Sequence, residues 1–116
     1  MRINFELVRQ ILTEIADADL GTNVTNYTIC QNENPNIVGW HIRKLIEAGY
    51  LTAIDASSKT EPYDFIDIEL TMDGEKFLSK IENSTVWNSI KTYLQENALT
   101  ISFKAIEFAF KAVCTR

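Results

Sequence analysis

The side chains with the most chemical capacity in this 116-residue chain are one histidine, two cysteines and sixteen carboxylates, and their spacing decides what they can do. His41 stands alone. A metal site needs several donors converging, and neither Cys30 nor Cys114 lies at a ligand spacing from it or from each other. Two cysteines so far apart form no CxxC pair and no disulfide framework, so reduced, buried thiols are expected. Asp64, Asp67, Glu69 and Asp73 are dense enough to suggest a cation site, but alternation along a strand makes Asp67 and Glu69 a solvated face. No nucleophile elbow, phosphate loop, dinucleotide fingerprint, zinc motif or histidine pair occurs. Catalysis, a cofactor and a metal are therefore not expected.

What remains is contact chemistry. Asn36, Trp40, Arg43 and Lys44 recur on one face of an apolar-periodic segment, and Lys59 sits in a polar loop downstream. Asparagine and the cations are donors to bases and phosphates, whereas tryptophan anchors protein interfaces. Arg43 and Lys44 have the alternative of solvating the helix and pairing with Glu47, and Trp40 that of packing under the hairpin against Tyr63 or Phe65. The net charge of −5 is opposite in sign to that of a dedicated nucleic-acid binder. The charge is uneven: residues 1–34 sum to −3, 35–60 to +1, 61–83 to −5 and 84–116 to +2.

Five helices and a hairpin would position these groups. Asn4 caps a first helix reaching about Ala18, with Leu7, Val8, Ile11, Leu12 and Ile15 on one face. Tyr27 to Cys30 reads as a short edge strand. A helix over about Pro35 to Ala48 turns Val38, Ile42, Leu45 and Ile46 inward and Asn36, Ile37, Gly39, Trp40, Arg43, Lys44 and Glu47 outward, and Gly49 stops it. Leu51 to Asp55 and Phe65 to Leu70 pair as a hairpin around ASSKTEP, with Ile66, Ile68 and Leu70 alternating against Asp67 and Glu69. Thr71 caps the next helix, which buries Phe77, Leu78 and Ile81. Another begins near Ser84 and carries Trp87, Ile90 and Leu94. A last one follows Ser102 to about Cys114, with Phe103, Ile106, Phe110 and Val113 on its stripe. This last helix is also apolar at Ala105, Phe108, Ala109 and Ala112. It is therefore either inserted between other elements or buried against a second copy, with Phe108 and Ala112 as the candidate dimer contacts.

The order HIRKLIEAGYL, hairpin, LTMDGEKFL resembles the recognition helix, wing and following helix of prokaryotic winged-helix regulators. Together with FELVRQIL at the start and TVWNSIKTYL and LTISFKAIEFAFK at the end, the whole chain resembles an uncharacterised family of small bacterial and phage-borne proteins, a domain of unknown function. The resemblance implies a mostly α (α+β) winged helix-turn-helix with a two- or three-stranded wing sheet and two extra C-terminal helices. A single domain over residues 1–116 is expected, its winged-helix core at about 4–82 and its helical extension at about 84–116. The regulator pattern puts Asn36, Gly39, Trp40, Arg43 and Lys44 on the groove-facing side of the recognition helix and Lys59 at the wing tip. Glu61, Asp64, Asp67 and Glu69 on the wing depart from it, because four carboxylates repel phosphate. Double-stranded DNA is the leading expected partner, and the alternative is a protein partner held by Trp40 and Ile37. With 46% hydrophobic residues the chain can build a core, and no apolar run approaches the roughly 18 residues of a membrane span. A cytoplasmic protein without membrane contact is expected.

Overall fold

Asn4 begins the first helix by accepting from the backbone N–H groups of Glu6 and Leu7, and α1 then runs Phe5–Asp17 with Ala18 as its C-cap. The computed structural model describes residues 1–115. Pro35 opens α2 (Pro35–Glu47) behind the Asn34 cap, since its missing N–H is one that the first turn does not use. β1 (Leu51–Asp55) and β2 (Phe65–Leu70) form an antiparallel hairpin, followed by α3 (Met72–Ile81), α4 (Ser84–Glu96) and α5 (Phe103–Cys114). The protein is thus mostly helical and α+β. Asn83 and Ser102 cap α4 and α5 through the N–H groups of Val86 and Ala105.

Two compact units divide the chain, Met1–Glu75 and the stretch from Lys76 onward, with the boundary inside α3. In the first, Leu7, Val8, Ile11, Leu12 and Ile15 of α1 are buried, as are Val38, Ile42 and Leu45 of α2 and Phe65 and Ile68 of β2. In the second, Phe77 meets Phe103 edge to face at 5.6 Å, and Trp87, Ile90, Leu94, Ile106 and Ala109 are buried.

Three expectations are corrected. Tyr27–Cys30 is not a strand. Thr25 and Thr28 bond locally, with Thr25 N–H donating to Thr28 Oγ1 at 2.9 Å and Thr28 Oγ1 to the Thr25 carbonyl at 3.1 Å, which holds the backbone in turns. The chain instead touches β2 three residues before Tyr27, where Ile68 N–H donates to the Val24 carbonyl at 3.0 Å.

The simple alternation of β2 also fails. Thr52 pairs with Glu69 but Ile54 with Ile66, so Ala53 opposes two residues, Asp67 and Ile68. Asp67 takes a left-handed φ of 50°, the geometry of a bulge, and its N–H is held by Asn23 Oδ1 at 2.9 Å. The extra residue reverses the faces beyond it: Phe65 and Ile68 point inward, while Ile66 joins Ile54 on the outer face, where Ile54 is 55% exposed.

On α5 the buried residues are Ile106 and Ala109, with Phe103, Phe110 and Val113 only half-buried at the flanks. The stripe therefore centres one residue away from the expected line.

Both α2 and α4 end in a left-handed cap. After α2, Tyr50 N–H reaches back to the Leu45 carbonyl at 2.9 Å and Gly49 N–H to that of Ile46 at 3.0 Å, with Gly49 at φ 86°. After α4, Leu99 N–H reaches the Leu94 carbonyl at 2.9 Å and Ala98 occupies the glycine position at φ 53°. The exposed Ala98 carries a Cβ where the left-handed region costs an L-residue about 1–2 kcal/mol. Ala98→Gly is expected to stabilise the protein by about 0.5–1 kcal/mol after the added unfolded-chain entropy, read as a raised Tm. A Tm equal to or below wild type would count against this cap geometry.

Candidate contact surface on α2 and the hairpin

α2 lies in sequence directly before the hairpin, and the buried Val38, Ile42 and Leu45 fix which of its faces remains outside. Asn36 is exposed in the first turn, and Trp40, Arg43 and Lys44 are half-buried along the flank. The Trp40 ring meets the His41 ring edge-on at 5.1 Å, and Lys44 Nζ lies 5.2 Å from the Trp40 ring centre. Lys44 also pairs with Glu47 at 3.4 Å, so tryptophan, cation and carboxylate form a row along the helix.

Arg43 has a different role. Its guanidinium lies 4.7 Å from the centre of the Tyr63 ring and 5.6 Å from that of Phe65, and it donates to the Pro62 carbonyl at 3.3 Å. Cation–π stacking and this hydrogen bond tie α2 to the hairpin through Arg43. Gly39, expected on the outer face, is buried: a Cβ there would lie 2.6 Å from Tyr63 Cβ. Lys59 is exposed in the loop between the strands. That loop is held by Tyr27, whose hydroxyl donates to Glu61 at 2.6 Å; the bond to Glu61 pushes the Tyr27 phenol up to about 12.

His41 is structural. Buried to 1% exposure, its Nδ1 lies 2.8 Å from the Ile37 carbonyl and its Nε2 accepts from Asn4 N–H at 2.9 Å. A carbonyl can only accept and a backbone N–H can only donate, so these partners select the neutral ring protonated at Nδ1. The ring joins the α1 cap to the middle of α2 and leaves no nitrogen for a ligand. Among the described residues no group of three or more His, Cys, Asp or Glu side chains is placed to hold a metal ion, and no helix is long and apolar enough to cross a membrane.

Residues 2–100 match the family described as "Hypothetical protein (DUF2513)". The chain belongs to the DUF2513 family. An "Uncharacterized protein" of Haemophilus influenzae is 36% identical over 110 residues, covering 92% of this chain and 90% of its own length. No solved structure matches the chain.

In this DUF2513 protein the residue that joins α2 to the hairpin is Asn26, which no sequence pattern singles out. It is 1% exposed. Its Nδ2 donates to the carbonyls of Pro35 at 3.0 Å and Tyr63 at 2.9 Å, and its Oδ1 accepts from Phe65 N–H at 2.9 Å. One side chain thus joins the start of α2 to the second limb of the hairpin. A comparable clamp fixes the preceding loop, where Glu14 accepts from Cys30 N–H at 3.0 Å and from Gln10 at 2.9 Å. The Cys30 N–H holds the Glu14 carboxyl below its ordinary value, while burial and the Glu14 charge push the Cys30 thiol up to about 12. Cys30 is therefore an inert thiol at neutral pH.

Phe108 and Ala112, the expected dimer contacts, lie on α5 in the second unit: Phe108 is 58% exposed, its ring 6.2 Å from that of Tyr93, and Ala112 is half-buried.

Proposed function

We propose that the first unit is a winged-helix module that acts by contact with a protein partner through the α2 face bearing Trp40 and Ile37, without catalysis. The observation that carries this reading is the engagement of Arg43. Its guanidinium is spent on Tyr63, Phe65 and the Pro62 carbonyl, so the strongest candidate for reading bases serves to hold the wing. The charge agrees: residues 1–75 hold five Lys and Arg against thirteen Asp and Glu, a net −8. A duplex approaching this unit meets a repulsive field.

A second reading, a small regulator binding double-stranded DNA, draws support from Asn36, Lys44 and Lys59, which remain accessible on α2 and the wing loop. Anisotropy with random-sequence duplexes at about 50 and 200 mM salt separates the two, because several phosphate contacts would lose orders of magnitude in affinity over that range. The protein-contact reading expects no binding at the lower salt. Duplex binding that collapses with salt and is lost in Lys44→Ala with Lys59→Ala would overturn it in favour of DNA.

A further inference from the structure

The first unit contains an open cleft of about 390 Å³ where the end of α1, the following turn, the end of β2 and the start of α3 meet. The buried Ile15, Val24 and Ile68 contribute to its lining, the exposed Asp19, Glu69 and Glu75 line it with carboxylates, and no Lys or Arg lines it. Leu20 projects beside it, fully exposed.

The second unit presents the opposite chemistry. Residues 76–116 hold six Lys and Arg against three Asp and Glu, a net +3. On α5 the exposed Lys104, Phe108 and Lys111 follow i, i+4, i+7 spacing and so form one ridge, with an aromatic ring between two cations about 10 Å apart along the axis. The neighbouring Glu107 is engaged by Lys80 at 3.3 Å, which leaves the ridge its positive sign.

We propose that the protein self-associates by seating the Lys104–Phe108–Lys111 ridge of one copy in the acid-lined cleft of a second copy. Phe108 enters the cleft between the two lysines, which meet the carboxylates of Asp19, Glu69 and Glu75. Charge decides this pairing over one of α5 against α5, since two identical ridges face to face would set lysines against lysines. The two patches differ, so the contact is heterologous: it closes as a reciprocal pair or extends from copy to copy. The inference stands independently of which partner the α2 face binds.

Sedimentation of the full chain over a range of concentrations, at about 50 and 500 mM salt, tests it. The wild type is expected to associate, with the apparent dissociation constant weakening about tenfold or more at the higher salt. Lys104→Glu with Lys111→Glu, and separately Asp19→Lys with Glu69→Lys, should each remain monomeric with an unchanged circular dichroism spectrum. Mixing the two charge-reversed proteins should restore association between them. A wild type that is monomeric throughout overturns the proposal. So does association that survives Asp19→Lys with Glu69→Lys, which would place the contact elsewhere. A mixture of folded charge-reversed proteins that stays monomeric overturns it equally. Salt-sensitive duplex binding by the monomer that is lost in Lys104→Glu with Lys111→Glu would reassign the ridge to phosphate.

Discussion

Asn26→Ala is expected to lower the unfolding free energy by about 3–5 kcal/mol, a large share of the roughly 5–15 kcal/mol of an ordinary domain. The substitution removes three hydrogen bonds and leaves the Pro35 and Tyr63 carbonyls and the Phe65 N–H behind. A buried backbone group without a partner costs about 1–3 kcal/mol, and water entering the vacated space offsets part of the total. Asn26→Asp separates hydrogen bonding from packing. Aspartate is nearly the same size and still accepts from Phe65 N–H, but it turns an ionised oxygen toward two carbonyls in place of their donor. It should therefore be about as damaging as alanine at neutral pH. Urea midpoints read both variants. Changes below about 1 kcal/mol in each would show that Asn26 does not anchor the hairpin to α2.

Gly74→Ala is expected to destabilise by about 3 kcal/mol or more, against the sign that helix propensity alone assigns, since alanine is favoured over glycine inside a helix by about 1 kcal/mol. The reason is a close approach of backbone to backbone. Thr71 Oγ1 donates to the Gly49 carbonyl at 2.6 Å and accepts from Gly74 N–H at 2.9 Å, while Thr71 N–H donates to the Tyr50 carbonyl at 3.1 Å. These bonds draw the first turn of α3 against the chain leaving α2, so that a Cβ on Gly74 would coincide with the Tyr50 carbonyl. Backbone cannot rotate away as a side chain can. Relief requires the first turn of α3 to move, breaking the Thr71 bonds. Thermal denaturation of Gly74→Ala checks this, and a Tm at or above wild type would show that the approach is looser than described.

The five helices and the hairpin were legible because each rests on short-range rules, whereas the strand expected at Tyr27–Cys30 is absent. Asn4, Thr71 and Ser102 are caps by residue type and position, Gly49 is a stop, and the apolar spacing of α1, α2 and α4 marks their inner faces. Less of the contact surface was legible. Asn36, Trp40, Arg43, Lys44 and Lys59 are read from the sequence as a set of equivalent outward donors and anchors, but helical spacing cannot show that the hairpin loop brings Tyr63 and Pro62 to Arg43. Gly39 is misplaced for the same reason: without a side chain it carries no signal of burial until Tyr63 is set against it.

What this sequence determined by itself is the kind and order of its five helices and hairpin, together with the uneven charge along the chain, acidic over residues 61–83 and basic over 84–116. Hydrophobic period, caps and composition act over a few residues and need no knowledge of the fold. Tertiary structure alone decided the bulge at Asp67, which reverses Phe65 and Ile66, and the use of Asn26 and His41 as buried hydrogen-bonding hubs. In each case the partner lies far along the chain: Asn26 bonds across 39 residues to Phe65, and Asn4 across 37 to His41. A polar residue's choice between solvent and burial turns on whether backbone donors and acceptors converge on it, and that convergence exists only once the chain has folded.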